Sequence, residues 1–240
     1  IMNLTGDNMV KTKLIKALVS VSAVLSLLAT PLYAGSFGIG VTGSAAHLST
    51  NGEETLKDTS VVEKASHSTI EAVPSIFVQY GHESGFVVGI DYIPGETSLG
   101  AKSTSRQDNL AVGTYGTGTA ITQQASAELS DHISLYVETP GLGGESGTEG
   151  IYLTAKWNQV DVKTTESLGT GASYGNKTVD GATVGIGWKN TYDNGMLMKF
   201  ETTYTGYGDM TFSSSGSDAV TTIQAESEVM QARFSLGYTF

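Results

Sequence analysis

Residues able to do acid–base or nucleophilic chemistry are sparse in this chain and fall in a few settings. His132-Ile133-Ser134 places an imidazole and a hydroxyl two residues apart, on one face if the segment is a strand. Glu128 or Glu138 could orient that histidine as in a hydrolytic triad. His47 and His67 bracket Glu53, Glu54 and Asp58, groups that an outer protease or metal site could use, but the spacing matches no ligand motif. There is no cysteine, which removes thiolate metal sites, cysteine nucleophiles and disulfides together. No glycine-rich stretch stands between a strand and a helix, so nucleotide binding has no support. These residues give no catalytic, metal or cofactor site.

A larger set of charges is more coherent: Glu71, Asp91, Glu138, Lys156, Lys189, Lys199, Glu201 and Arg233. Their meaning depends on the segments that hold them. Phe37, Ile39, Val41, Gly43 and Ala45 alternate with small or polar residues, a period of two that predicts a strand. The same alternation runs through Ile70 to Tyr80, Phe86 to Tyr92, Ile133 to Val137 and Ile151 to Trp157. It continues through Val184 to Tyr192, Met196 to Tyr204 and the terminal ARFSLGYTF. Eight strands are expected, and each of the eight charges falls on the polar parity of its strand. In the second strand Val73 and Phe77 blur the pattern.

The connections alternate as well. GHESG and DNG are short turns, and the latter is a strong hairpin signal. Long polar stretches lie between the other strands, around Thr50 to Ser68, Gly95 to Ile121, Thr165 to Lys177 and Gly208 to Thr222. Only 39% of residues are hydrophobic and 30 are glycine, so a large aliphatic core is not expected. The reading is an all-β chain: a transmembrane, antiparallel, up-and-down β-barrel of eight strands, with short turns at one end and long loops at the other. Lipid cannot satisfy backbone hydrogen bonds, so a sheet that crosses it must close on itself.

A soluble barrel or sandwich would turn the same apolar faces inward. Against it, few large side chains would be left for the interior, and Tyr80, Phe86, Tyr192, Tyr238 and Phe240 cluster beside the short turns or the chain end, where an interfacial girdle belongs. Two features depart from the simplest pattern. PGLGGESGTEG is long for a tight turn, and Asp131 has the parity assigned to lipid. It stands above the membrane, or a bulge near Ser130 changes the parity.

The terminal segment, with Phe234, Leu236, Tyr238 and a final Phe240, resembles the last strand of bacterial outer-membrane barrels. The chain as a whole is similar in pattern to the small eight-stranded OmpA-, OmpX- and opacity-protein-like family. The resemblance implies a bacterial outer membrane, periplasmic turns, extracellular loops and surrounding outer-membrane lipid. It also implies a barrel-insertion machinery that reads those four residues as its signal. The His132-x-Ser134 spacing is similar to that of outer-membrane lipid A deacylases, whose reacting groups face lipid. Here Ile133, Leu135 and Val137 take the lipid face, so His132 and Ser134 are expected to point inward.

Parity then sends the eight charges into the lumen, which in an eight-stranded barrel is just wide enough for side chains to fill. Four cations and four anions could pair into a closed network there, or stand near the mouths in water. Three functions remain open: a structural or surface-interaction barrel acting through its long loops on an extracellular ligand, a narrow porin-like channel for ions or small solutes, and a lipid hydrolase. Nucleic acid is not expected as a partner, because the net charge is −11 and no basic cluster is present.

The N-terminus reads as a leader. From Met9, the expected start, Lys11, Lys13 and Lys16 precede an apolar run from Ala17 to Ala29, then Pro31 and the small Ala34. Residues 1–34 are therefore expected to be an upstream extension plus a cleavable signal peptide, and residues 35–240 the barrel domain.

Overall fold

Alternation builds a wall in which each strand shows one apolar and one mixed face. The computed structural model describes residues 35–56, 62–107, 120–143, 148–168, 173–215 and 221–240. The leader and Asp58 lie outside the described residues. Among the described residues ten strands form in chain order: β1 (Ser36–Leu56), β2 (Val62–Gly81), β3 (Val87–Gln107), β4 (Ala120–Glu138), β5 (Leu142–Gly143), β6 (Gly150–Leu168), β7 (Lys177–Thr191), β8 (Met196–Tyr207), β9 (Met210–Ser213) and β10 (Thr221–Thr239). Eight of them make a ring in the order β1-β2-β3-β4-β6-β7-β8-β10, and antiparallel pairing of β1 with β10 closes it. Closure leaves no terminal edge strand to template aggregation.

The two short strands extend the ring. β5 pairs with the start of β6, Leu142 opposite Ile151, and so lengthens the β4–β6 hairpin that the sequence marks as long for a turn. β9 takes over from β8 along β10, Phe212 opposite Ile223. The turns after β2 and β7 are built alike. His82 and Tyr192 donate their N–H groups to the carbonyls of Phe86 and Met196, and Gly85 and Gly195 adopt φ of 85° and 83°. That conformation disfavours side chains.

The outer face is an apolar band: Ile39, Val41, Ile76, Val78, Leu135, Val137, Leu153, Val184, Ile186, Phe200, Phe234 and Leu236 are all exposed there. Phe86, Tyr192, Tyr238 and Phe240 rim it at the turn end, where Phe37 also packs on Tyr80 with ring centroids 5.3 Å apart. Trp157 and Tyr204 face outward at the other rim. A water-soluble barrel would bury such residues; a barrel in lipid presents them.

Two sequence expectations change. The strands run well into the stretches read as long loops: β1 and β2 pair continuously from Ser36↔Gly81 to Thr55↔Val62. A membrane-crossing strand needs about 10 residues, so strands of 19–21 residues project beyond the bilayer. Polar residues there obscure the alternation, because both faces of the wall can be wet. The interior also holds more large side chains than expected. Val160, Val162, Val179, Met210 and Phe212 form one buried apolar cluster, and Ala46, Leu48, Val73 and Val229 another. Val73 thus belongs to the inward face.

Asp131 marks a bulge. It has φ of 52°, and the β4–β6 register slips between Ser130 and Ile133. Before the slip Leu129 packs on the interior clusters; after it Ser134, Tyr136 and Glu138 are the buried residues. The inserted residue reverses which parity faces in.

Candidate functional site

The turn-end half of the lumen is filled by ions. Arg233 on β10 stands directly opposite Glu201 on β8. Its Nε lies 3.3 Å from the Glu201 carboxylate, and its Nη2 donates to Asp91 across the lumen. Lys156 reaches the same Glu201 at 2.6 Å. Lys199 meets Glu138 at 2.5 Å, and Lys189 is 3.7 Å from the other oxygen of that carboxylate. Every side chain in these pairs is at least nine-tenths buried. A lone ion there would cost several kcal/mol, so the pairing is what allows the set to be buried at all.

Neutral groups complete the network. Lys199 also donates to Gln79 at 2.6 Å, Tyr136 donates to the same oxygen at 3.1 Å, and Tyr152 donates to Glu201 at 3.1 Å. The cations sit over rings, Lys199 5.2 Å from the Phe77 centroid and Lys189 5.1 Å from that of Tyr152, a favourable placement in a dry setting. Room for the rings comes from glycine. Phe77 stands opposite Gly40, Tyr136 opposite Gly89 and Tyr152 opposite Gly187. A Cβ at Gly187 would come 2.7 Å from the Tyr152 ring. The ring lies over the bare backbone of the neighbouring strand.

Above the ions runs a chain of neutral hydrogen bonds: Ser134 donates to Asn158 at 2.8 Å, Asn158 to Thr183 at 2.8 Å, and Thr183 meets Thr205 at 2.6 Å. His132 Nε2 lies 3.1 Å from the Tyr207 hydroxyl. Beyond this layer the apolar clusters fill the lumen.

No protein-family model matches the chain, and no curated protein sequence does. Solved structures do. The outer-membrane protein OprG of Pseudomonas aeruginosa superposes with a TM-score of 0.52, covering 86% of this chain and 96% of OprG at 12% identity. The fold is that of an outer-membrane β-barrel. The outer-membrane protease OmpT of Escherichia coli is similar at a TM-score of 0.47 and 9% identity over 85% of this chain and 97% of OmpT. Ail of Yersinia pestis is similar at 0.40 and 10% identity over 86% of this chain and 99% of Ail.

Of the eight charges expected in the lumen of this outer-membrane barrel, the structure brings seven together: Asp91, Glu138, Lys156, Lys189, Lys199, Glu201 and Arg233. Glu71 is not among them. It is half-buried higher on β2 and accepts a hydrogen bond from Thr69 at 3.1 Å. Among the described residues the network therefore has four cations and three anions. The spacing alone does not single out Gln79, Tyr136 and Tyr152, although all three fall on the polar parities of their strands.

His132 and Ser134 point inward, but His132 Nε2 meets Tyr207 and Ser134 Oγ donates to Asn158, so they form no nucleophile–base pair. Glu138 is committed to the two lysines. Glu53 pairs with Lys64, Glu54 accepts from Tyr174 at 3.4 Å, and His47 and His67 are exposed. Among the described residues no three acidic, histidine or cysteine side chains group as a metal site. Phe234, Leu236, Tyr238 and Phe240 all face out, and Phe240 exchanges backbone hydrogen bonds of 2.8 and 3.0 Å with Phe37.

Proposed function

We propose that this outer-membrane barrel is a closed one, whose work is structural or carried out at the cell surface by the ends of its strands and the loops that join them. The observation that supports this is the salt-bridge set from Asp91 through Arg233 and Glu201 to Lys156, which spans the lumen instead of lining it. Lumens of this strand number are filled by side chains, and wide aqueous channels belong to barrels of about 16 strands or more. The projecting strands offer an extended polar surface to an extracellular ligand.

The deciding measurement is conductance across a planar bilayer. Folded protein should be electrically silent. Stable ohmic conductance that changes on replacing Arg233 or Lys199 would instead establish the narrow channel. Lipid hydrolysis lost on Ser134→Ala would establish the hydrolase.

The outward row Phe234, Leu236, Tyr238 and Phe240 serves, on this reading, as the address for a barrel-insertion machinery. Phe240 is three-quarters exposed at the rim and so is accessible to a reader. Deleting it should lower the yield of assembled barrel in cells while leaving refolding into lipid vesicles intact. Equal loss in both would make it a packing residue only.

A further inference from the structure

The ladder between β2 and β3 ends early, and the chain shows why. These strands share only the six pairs from Gly81↔Val87 to Ile76↔Tyr92, whereas β1 and β2 pair from Ser36↔Gly81 to Thr55↔Val62. At the turn, His82 donates its N–H to the Phe86 carbonyl and accepts from the Gly85 N–H, so the backbone groups of His82 point at β3. Residues two apart on a strand point the same way, so the even-numbered residues of β2 address β3 and the odd-numbered ones address β1. Tyr80↔Val88, Val78↔Ile90 and Ile76↔Tyr92 are therefore the bonded pairs of this seam. The next would be Pro74↔Pro94, in which neither residue has an N–H to give. The ladder stops there.

Beyond the prolines β2 is a free edge. Its pairing with β1 continues without a register shift, so Ala72, Ile70, Ser68, Ser66 and Lys64 turn their backbone groups to a side on which, among the described residues, no strand pairs. Ala65, Ser66, His67 and Ser68 are exposed on both faces, which puts this stretch outside the apolar band. Behind it, β1 is paired in turn with β10 from Gly38↔Thr239 to Leu56↔Thr221, so the edge is held straight.

An exposed, straight edge is a template for another strand, and natural sheets blunt one with proline, bulges, lysine or an inward charge. Here Pro74 protects only the base, and Lys64 is held by Glu53. The remaining guard is Glu71. Its side chain has the inward parity, is half-buried and accepts from Thr69, but among the described residues it meets no cation. Such a carboxylate turns away an acidic strand and admits a basic one.

We propose that the β2 edge from Lys64 to Ala72 receives an extended cationic peptide as an added antiparallel strand. Residues opposite one another in an antiparallel ladder point to the same face, so apolar residues of the peptide form the bonded pairs with Ser66, Ser68, Ile70 and Ala72 on the outer face. Basic residues alternate with them on the inner face, one of them opposite Glu71. Main-chain bonds supply affinity and the alternation supplies selectivity. This rests on the reading of the projecting strands as a surface for an extracellular ligand, and it names that ligand's chemistry.

The test uses the full chain folded in nanodiscs of zwitterionic lipid and a fluorescent, acetylated peptide of alternating valine and lysine, with binding read by anisotropy. Saturable binding is expected, with none to empty nanodiscs and binding weaker by tenfold or more for the valine–glutamate counterpart. N-methylation of the valines removes the N–H groups aimed at β2 and should abolish binding; N-methylation of the lysines should spare it. Ser68→Pro deletes an edge N–H that β1 does not use, and should weaken the peptide tenfold or more with an unchanged circular-dichroism spectrum. Glu71→Lys should reverse the preference between the two peptides. No saturable binding, equal binding of the two peptides, or full affinity after valine N-methylation or in Ser68→Pro would each overturn the proposal. A dimer of this chain that disappears in Ser68→Pro would also overturn it, by giving the edge to a second copy. Peptide bound with full affinity to Ser68→Pro would still leave a surface role standing, and conductance bears on the plug alone, so the ideas fail separately.

Discussion

The two halves of the lumen share one wall and are filled in opposite ways. Toward the turns, seven ions and their ring partners fit into space left by inward glycines. Toward the loops, Val160, Val162, Val179, Met210 and Phe212 pack as in a water-soluble core. The difference follows from what lies outside. In the bilayer the outer face already carries the apolar residues, so polar ones are left for the inside and must satisfy each other. Beyond the bilayer the outer face is wet, and hydrophobic burial inside becomes available again as a driving force.

The contrast can be broken most severely at its most connected ion. Glu201→Gln strands Lys156 and leaves Arg233 with Asp91 as its one carboxylate beside the neutral Gln231, and should cost about 3–5 kcal/mol in urea unfolding from lipid vesicles; an unchanged midpoint would mean the cations re-pair freely and the plug is fluid. Phe212→Ala in the other half should cost about 3 kcal/mol by cavity formation. That variant should stay silent in planar bilayers while Glu201→Gln leaks, which separates the two fillings by function as well as stability.

Gly187→Ala sharpens the ring-on-glycine rule. The added methyl would meet the Tyr152 ring and the Phe200 carbonyl 2.5 Å away, for an expected loss of about 1–3 kcal/mol, and a paired Tyr152→Leu should recover part of it. At the small end, Lys64→Ala removes an exposed partner of Glu53 outside the bilayer and should shift the midpoint by less than about 1 kcal/mol.

How far the sequence could be read depended on the same boundary. Within the bilayer strict alternation identified strands, lipid face and ions, because each residue type had one face available. Arg233 could be assigned inward merely by counting back from Phe240. Above the bilayer that rule lapses. Val160 and Val162 continue the inward parity of Lys156 and Asn158, yet nothing in their types says that the face they occupy has become apolar. Glu71 shows the same lapse: it shares the parity of the ions but stands above their layer, where Thr69 donates to it. The glycine-bound rings were hidden differently. Gly89 and Tyr136, or Gly187 and Tyr152, lie on separate strands, and only register brings them opposite. The bulge at Asp131 did leave a trace, since a charge on the lipid parity has to be explained.

Because the ring closes between β1 and β10, the first and last strands must meet before either has two neighbours. Pairs such as Gly38↔Thr239 join opposite ends of the chain, the most entropically demanding kind of contact and one that slows folding. Asp91 belongs to the β2–β3 hairpin, while its cation, Arg233, stands on β10. Until β1 and β10 meet, that carboxylate lacks the cation that neutralises it in the closed ring, so closing the wall and completing the charge network are one event.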